Sequence, residues 1–194
     1  EEETVPVDLQ GILKTKRVVL NVASMVPEKN QTGLIRIFAM LIEHVPDTVL
    51  LIVGDGNQRP VLEQIISEKK LHGKVILLSY RDDVPALMRH SRVLALPSLI
   101  EGLPGVILEA MNGGLPVVAN DVGGVSEVVV PDQTGWLVQK DSEQDFCNAL
   151  KEALEGGNRV ERIKRNAADL ETRNFLNRTV AQRFLEVYRA ILKQ

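Results

Sequence analysis

The chain has 194 residues, of which 44% are hydrophobic and 25% are charged, and its formal net charge is -3. These values are typical of one soluble globular domain with a sizeable core, and a pI near 5.7 argues against general affinity for nucleic acid. The single cysteine, Cys147, excludes an internal disulfide and any metal site built from cysteines alone.

The beginning of the chain differs from a secretory signal, because its first three residues are all glutamates. The chain also starts without methionine, so we expect either a processed start or a piece of a longer polypeptide. Residues 1–16 are predicted to form a linker or N-terminal extension, and residues 17–194 one domain. No apolar run approaches the roughly 18 residues that a membrane span needs.

Short runs rich in β-branched residues alternate with longer segments of helical period. The runs predict strands at 18–23, 49–53, 75–78, 93–96, 116–119 and 136–138, and most of them are apolar throughout. Helices are predicted at 31–44, 59–71 and 83–89. Continuous apolar strands are typical of a sheet covered on both faces. The alternation therefore predicts an α/β fold with a doubly wound, parallel, six-stranded, Rossmann-like sheet.

Two further helices are predicted near the C-terminus, one around 160–170 and one from 174 to the end. An apolar face of this region comprises Phe175, Leu176, Val180, Phe184, Val187, Tyr188, Ile191 and Leu192. Residues 156–194 contain nine Lys/Arg and four Asp/Glu, a net charge of +5, which leaves -8 for residues 1–155. Two interpretations stay open: a solvated basic face on a packed helix, or peripheral contact with an anionic membrane, since each basic residue can contribute about 1 kcal/mol there.

Ligands of open parallel sheets bind outside the carboxyl ends of the strands, where the strand order reverses. If the order is 3-2-1-4-5-6, that point lies between the first and fourth strands. The loops to consider are then residues 24–30 and 97–105.

The second of these loops leads into a helix that carries candidate ligand groups. Pro104 suits the first position of a helix, and Glu101 and Glu109 bracket its N-terminus. Free N–H groups there suit a diphosphate, and carboxylates accept hydrogen bonds from sugar hydroxyls. The alternative is that both glutamates are exposed partners of the helix dipole. We expect Glu109 to be desolvated, because apolar residues flank it in the sequence.

Residues 97–119, PSLIEGLPGVILEAMNGGLPVVA, resemble the E-x7-E signature of family 4 glycosyltransferases. Similar pieces flank the signature: VGDG at 53–56, DVGGVSE at 121–127 and TGWLV at 134–138. The resemblance runs from about residue 17 to the end of the chain. It implies the C-terminal, donor-binding half of a retaining enzyme of the GT-B fold, with the N-terminal acceptor domain absent from this chain.

The resemblance implies a role for each matching residue. Glu109 is expected to bind the ribose hydroxyls of a nucleotide-sugar, and Glu101, with a catalytic role, hydroxyls of the transferred sugar. Backbone groups expected near the diphosphate belong to Gly102, Leu103, Gly105 and Val106.

The family's basic pair, an Arg and a Lys in the loop after the first strand, aligns with Ser24 and Lys29. Lys29 matches and is the second expected catalytic residue, whereas serine stands at the Arg position. Arg81, after the third strand, is expected either to compensate, to lie near the base, or to be a surface arginine. The resemblance implies no metal and no cofactor, so Lys29 and helix termini would supply the positive charge for the departing diphosphate.

The implied activity is transfer of a hexosyl-type group from a UDP- or GDP-linked sugar to a saccharide or lipid-linked acceptor. It suggests polysaccharide or glycolipid synthesis in the cytoplasm or at the cytoplasmic face of a membrane. We expect the isolated domain to be inactive, since catalysis in this fold needs both halves. Two alternatives remain: a non-catalytic nucleotide-sugar-binding or regulatory module, which Ser24 favours, and a nucleotide-sugar epimerase, against which Glu101 and Glu109 argue.

Overall fold

The computed structural model describes residues 7–175 and 177–191, with only the backbone at 177, 178, 180, 183, 187 and 190. Its strands are β1 (Arg17–Val22), β2 (Thr48–Val53), β3 (Val75–Leu78), β4 (Val93–Leu96), β5 (Val117–Asn120) and β6 (Trp136–Val138). Its helices are α1 (Gln10–Thr15), α2 (Gln31–His44), α3 (Arg59–Glu68), α4 (Val84–His90), α5 (Gly105–Asn112), α6 (Glu143–Glu155), α7 (Asn158–Asn174) and α8 (Asn177–Ile191).

The strands form one parallel sheet in the order β3-β2-β1-β4-β5-β6, which confirms the predicted fold class and the reversal between β1 and β4. β1 pairs with β2 over its whole length, from Arg17 to Val22. Its pairing with β4 covers only Val19 with Val93 and Leu20 with Leu94. The two central strands therefore separate toward their carboxyl ends, and this separation opens the crevice that the fold uses for ligands.

Apolar layers cover both faces of the sheet, because successive side chains of a strand point to opposite faces. β1 contributes Val19 to the layer formed with α2, α3 and α6, where Phe38 and Phe146 are fully or nearly fully buried. It contributes Leu20 to the layer formed with α4 and α5, which contains Leu87 and Ile107. The sheet is thus buried on both faces beneath the loops at its carboxyl edge.

Most element boundaries agree with the sequence. α2 occupies the predicted residues, while α3 ends at Glu68, before Lys70 adopts the left-handed conformation at φ 54°. α6 was not among the predicted helices, although Phe146, Leu150 and Leu154 recur at intervals of four residues and are buried. Trp136 and Cys147 are buried, with exposures of 7% and 2%.

Part of the segment predicted as a linker or N-terminal extension packs against the sheet. A 3-10 turn at Val7–Leu9 leads into α1, and Leu9 and Leu13 are buried in the layer shared with α4 and α5. The described part of residues 1–16 therefore packs as an element of the domain.

The C-terminal helices differ in how far they are covered. α7 packs against α5, and Phe175 is partly buried beside it. On α8, Phe184, Tyr188 and Ile191 are each 60% exposed, so within the described chain the predicted apolar face is not covered there. Leu176 and Leu192 lie outside the described residues, as do the side chains of Val180 and Val187. Across residues 7–175 and 177–191, the structure contains no helix with the length and apolarity needed to cross a membrane.

Candidate functional site

The loop after β1 is shaped by close backbone contacts with the loop after β2. The Met25 N–H donates to the Asp55 carbonyl at 2.8 Å, and the Met25 carbonyl accepts from the Gln58 N–H at 3.0 Å. A Cβ on Gly54 would lie 2.1 Å from the Ala23 carbonyl oxygen, so only glycine allows this approach. The loop therefore leaves β1 along one defined path.

That path ends in a 3-10 turn, Pro27–Lys29, and a left-handed residue, Asn30, at φ 51°. Asparagine is among the few residues that tolerate this conformation. Its Oδ1 accepts a hydrogen bond from the Gly33 N–H at 3.2 Å and caps α2. Lys29 is thereby placed beside the carboxyl ends of the central strands.

The loop after β4 carries Glu101 and leads into α5, whose first residue is Gly105. The buried Pro104 precedes the helix, while Gly102, Leu103 and Gly105 are exposed. The first N–H groups of a helix have no partner within the helix, so this terminus offers donors to a ligand. The structure thus places the predicted backbone groups at one exposed helix end, together with the half-buried Val106.

Lys29 and Glu101 meet across the crevice, although 72 positions separate them in the sequence. The Lys29 Nζ lies 2.6 Å from the Glu101 Oε1, with side-chain exposures of 27% and 7%. A charge-assisted hydrogen bond of this kind is about twice as strong as one between neutral groups. Both expected catalytic residues therefore belong to one pair at the point where the strand order reverses.

Glu109 does not lie in the apolar environment that its sequence neighbours suggested. α5 buries Ile107, Ala110 and Met111, whereas Glu109 is exposed. The expectation of a desolvated carboxylate was wrong, because residues one or two positions apart do not share a helix face. The carboxylate is instead open to a ligand from solvent.

Two asparagines that the sequence did not single out connect the loops of the site. Asn30 Nδ2 donates to the Pro97 carbonyl at 3.2 Å, and Asn120 Nδ2 donates to the same carbonyl at 2.8 Å and to that of Ser98 at 3.2 Å. Asn120 is only 5% exposed. The sequence contains one signal that could have identified Asn120, because it is the polar residue that ends the otherwise apolar run of β5.

The loop after β5 closes on Glu101 from the other side. The Gly124 N–H donates to the Gly102 carbonyl at 3.1 Å. A Cβ on Gly123 would lie 1.8 Å from the Glu101 carbonyl oxygen. The loops after β1 and β5 therefore both contact the loop after β4, from Pro97 to Gly102.

Ser24 lies on the same loop as Lys29. The residue is exposed, and its carbonyl accepts a hydrogen bond from Gln31 Nε2 at 2.9 Å. A short hydroxyl-bearing side chain thus occupies the position at which the family pattern has arginine.

Arg81 belongs to a different group of charges. Its Nη2 donates to the Asp83 Oδ2 at 2.6 Å, and its Nη1 donates to the Asp8 Oδ2 at 2.7 Å. Hydrogen bonds to Asp83 and Asp8 raise the pKa of Arg81, and Arg81 lowers the pKa of both carboxylates. Arg81 follows β3, which β2 separates from β1, so its ion pairs tie the N-terminal segment to the sheet edge.

In the part of the chain that the structure describes, no cluster of three or more His, Cys, Asp or Glu side chains could hold a metal ion. The charged groups brought together at the crevice are the ammonium of Lys29 and the carboxylate of Glu101.

A doubly wound parallel sheet whose strand order reverses between β1 and β4, with an open helix N-terminus beside the reversal, defines a Rossmann-like domain with a ligand crevice. The chain belongs to the family described as "Glycosyl transferases group 1", whose model matches residues 8–170. The match confirms the resemblance that the E-x7-E segment indicated.

Two curated relatives illustrate the range of the family. The chain is 33% identical to the UDP-Gal:alpha-D-GlcNAc-diphosphoundecaprenol alpha-1,3-galactosyltransferase of Escherichia coli, over 72% of this chain and 37% of the relative. It is 29% identical to the alpha-D-kanosaminyltransferase of Streptomyces kanamyceticus, over 92% of this chain and 47% of the relative. The chain therefore spans less than half the length of these two proteins.

A solved structure of similar fold is that of Anabaena Alr3699/HepE in complex with UDP, with a TM-score of 0.87 and 28% identity. The match covers 96% of this chain and 54% of that one. The same protein in complex with UDP-glucose matches with a TM-score of 0.86.

Proposed function

We propose that this chain is the donor-binding half of a retaining glycosyltransferase that transfers a hexosyl-type group from a nucleotide-diphosphate sugar. The observation that carries the proposal is the Lys29–Glu101 pair, held 2.6 Å apart where β1 and β4 separate. The UDP and UDP-glucose complexes of Alr3699/HepE support a UDP-linked donor, and a GDP-linked donor remains the alternative.

In this proposal the two glutamates bind the two ends of the donor. Glu109 is exposed, so its carboxylate can accept hydrogen bonds from ribose hydroxyls without first being desolvated. Glu101 accepts hydrogen bonds from the sugar that is transferred. The diphosphate lies at the N-terminus of α5, near the backbone of Gly102, Leu103, Gly105 and Val106.

Transfer breaks the bond between a carbon of the sugar and the diphosphate oxygen and forms a bond from the same carbon to the oxygen of an acceptor hydroxyl, whose proton passes to the departing diphosphate. Negative charge develops on the departing diphosphate, and stabilising that charge is what the site must do. The ammonium of Lys29 has three N–H donors, so it can keep its hydrogen bond to Glu101 and also donate to a phosphate oxygen. Lys29 and the N–H groups of α5 supply this stabilisation in our proposal, without metal or cofactor.

The acceptor, a saccharide or a lipid-linked sugar, is proposed to bind to an N-terminal half of the same enzyme. Two observations support such a partner: the chain spans 37% and 47% of the two relatives, and α8 exposes Phe184, Leu185, Tyr188 and Ile191. Apolar side chains exposed in a row are typical of a surface that another part of a protein covers. The isolated chain is accordingly proposed to bind donor without transferring sugar.

We place the enzyme in polysaccharide or glycolipid synthesis, in the cytoplasm or at the cytoplasmic face of a membrane. The +5 charge of residues 156–194 supports a peripheral contact with anionic lipid.

A second candidate function is a nucleotide-sugar-binding or regulatory module without transferase activity. Ser24 supports it, because this residue cannot supply the planar, charged donor group of an arginine. Arg81 forms ion pairs with Asp8 and Asp83, so its guanidinium is already neutralised by two carboxylates.

Calorimetry with UDP, GDP and ADP and their sugar conjugates tests donor binding. Glu109→Ala should weaken binding of the preferred nucleotide by about 1.5 to 3 kcal/mol, because charged hydrogen bonds to ribose are lost. Glu68→Ala, which removes an exposed carboxylate at the end of α3, is the matched control and should change nothing. No detectable binding of any of these compounds at millimolar concentration contradicts the proposal.

Enzyme and binding module are separated by activity of the full-length protein. With the preferred nucleotide-sugar bound, an enzyme releases the nucleoside diphosphate, by transfer to an acceptor or by slow hydrolysis. If a donor that is shown to bind is neither transferred nor hydrolysed, the result favours the binding module.

A further inference from the structure

Toward the carboxyl end of β4 the pairing with β1 stops, while the pairing with β5 continues to Leu96. β1 and β4 share only two residue pairs, the last being Leu20 with Leu94. The next residues of β4 are buried, and Pro97 has no N–H to donate to any ladder. Buried carbonyls without hydrogen bonds are costly, so other donors must replace the ladder here.

Side-chain amides of three asparagines supply those donors. Asn21 donates to the Ala95 carbonyl at 2.8 Å. Asn30 and Asn120 both donate to the Pro97 carbonyl, and Asn120 also reaches the Ser98 carbonyl. Because an amide carries two N–H groups, Asn120 can serve two carbonyls at once.

The position of these contacts matters because Glu101 follows closely in the chain. The Pro97 carbonyl is held from the β1 side by Asn30 and from the β5 side by Asn120. A backbone hydrogen bond from the Leu99 N–H to the Glu28 carbonyl, at 2.8 Å, continues the connection toward Lys29. The loops of Lys29 and Glu101 are thus joined at three points: an amide, a backbone pair and the ion pair itself.

We propose that Asn30 and Asn120 are positioning residues that hold Glu101 against Lys29 in the geometry needed to bind the sugar of the donor. Neither side chain is required to touch the donor, since both act on the Pro97–Ser98 backbone. This inference rests on the proposed function as far as the donor is concerned. Displacement of a reactive group by about 1 Å can cost about 100-fold in rate, so these hydrogen bonds to the Pro97–Ser98 backbone should matter for the reaction.

The substitutions Asn120→Ala and Asn30→Gly remove the two amides separately. Glycine keeps the left-handed backbone at residue 30 without strain and is a tolerated N-cap residue, so α2 should persist. Asn166→Ala, at an exposed position of α7, is the matched control. If Asn120→Ala does not fold, Asn30→Gly carries the same test.

The first readout needs no ligand and uses the full-length protein. The coupling between Lys29 and Glu101 is measured by urea unfolding of Lys29→Met, Glu101→Gln and the double variant. In the Asn120→Ala and Asn30→Gly backgrounds the coupling, expressed as a ratio of unfolding constants, should fall at least about threefold. If the two substitutions lower stability but leave the coupling between Lys29 and Glu101 unchanged, the asparagines do not position the pair. That result overturns the inference.

The second readout is the affinity for UDP-glucose, with GDP-mannose and ADP-glucose as further donors. Asn120→Ala should weaken the preferred donor about tenfold, but only about threefold or less when Glu101→Gln is already present, because both changes then affect one interaction. Equal losses in the two backgrounds contradict a role through Glu101. Reduced coupling in a protein that binds none of these donors supports the positioning of the ion pair and rejects the proposed function.

Discussion

Gly123 lies so close to Glu101 that a Cβ at residue 123 would stand 1.8 Å from the Glu101 carbonyl oxygen. The φ of Gly123 is 55°, in the left-handed region that glycine adopts at little cost. The absence of a side chain at this position therefore allows the loop after β5 to pack directly on the backbone that carries the buried carboxylate.

Gly123→Ala should displace the Glu101 loop and weaken binding of the proposed donor at least about tenfold, because a misplaced binding group loses most of its contribution. The backbone strain should also lower stability by about 1 to 2 kcal/mol. Calorimetry with the preferred nucleotide-sugar and urea unfolding measure the two effects.

Gly11→Ala is the control for the same chemical change, since no atom lies within 4 Å of a Cβ built at that residue of α1. This control should be neutral or slightly stabilising. Unaltered donor affinity in Gly123→Ala would show that the contact between the loops has no bearing on the site.

The Lys29–Glu101 pair gives a second prediction, about stability. Lys29→Met leaves a carboxylate that is 7% exposed without its cation, and this should cost about 1 to 3 kcal/mol. Adding Glu101→Gln should recover part of the loss, since a neutral amide is less costly to bury than an unpaired charge. Urea unfolding of the two single variants and the double variant measures this recovery.

A suitable control is Lys164→Met, because its partner Glu161 is 62% exposed and remains solvated after the cation is lost. If the double variant is no more stable than Lys29→Met, the Lys29 ammonium and the Glu101 carboxylate do not interact strongly.

The third prediction concerns pH and the ion pairs of Arg81. Because Arg81 lowers the pKa of Asp8 and Asp83 below the ordinary value of 3.8, the pairs stabilise the fold above that pH. The contribution is lost as the pH falls through the lowered values and the carboxylates become protonated. Arg81→Met should thus reduce stability at neutral pH by about 1 kcal/mol or less, since Asp8 is largely exposed, and less at about pH 2.5.

Denaturant unfolding at both pH values, with hydrogen exchange of residues 7–16, measures the effect. Arg173→Met is the control, because its 3.9 Å pair with Asp169 is exposed on both sides. A difference between wild type and Arg81→Met that stays constant with pH would assign the loss to packing of the arginine stem.

Cys147 provides a test of the core. The thiol is 2% exposed and burial raises its pKa, so the reactive thiolate is scarce in the folded state. Alkylation by iodoacetamide at neutral pH should be at least about 100-fold slower in the native protein than in urea, because it requires opening of the structure. A native rate close to the unfolded rate would mean that α6 does not cover this side chain.

Local patterns in the sequence were sufficient to predict the order and type of most elements. Both ends of α2 could be predicted, because its apolar stripe of helical period stops before Val45 and Pro46. Such signals involve only a few neighbouring residues. The apolar strands indicated a sheet buried on both faces. The E-x7-E segment identified Glu101 and, with the preceding loop, Lys29 as candidates.

Which side chains meet and which remain in water could not be predicted in the same way, because these contacts form between distant parts of the chain. Glu109 is exposed because exposure depends on the helix face and not on neighbours in the chain. Asn120 reaches Pro97 across 23 positions, and Arg81 reaches Asp8 across 73. Such contacts depend on which strands are adjacent and where β1 and β4 separate. Packing of the whole sheet sets that geometry, and no local pattern of residues encodes it.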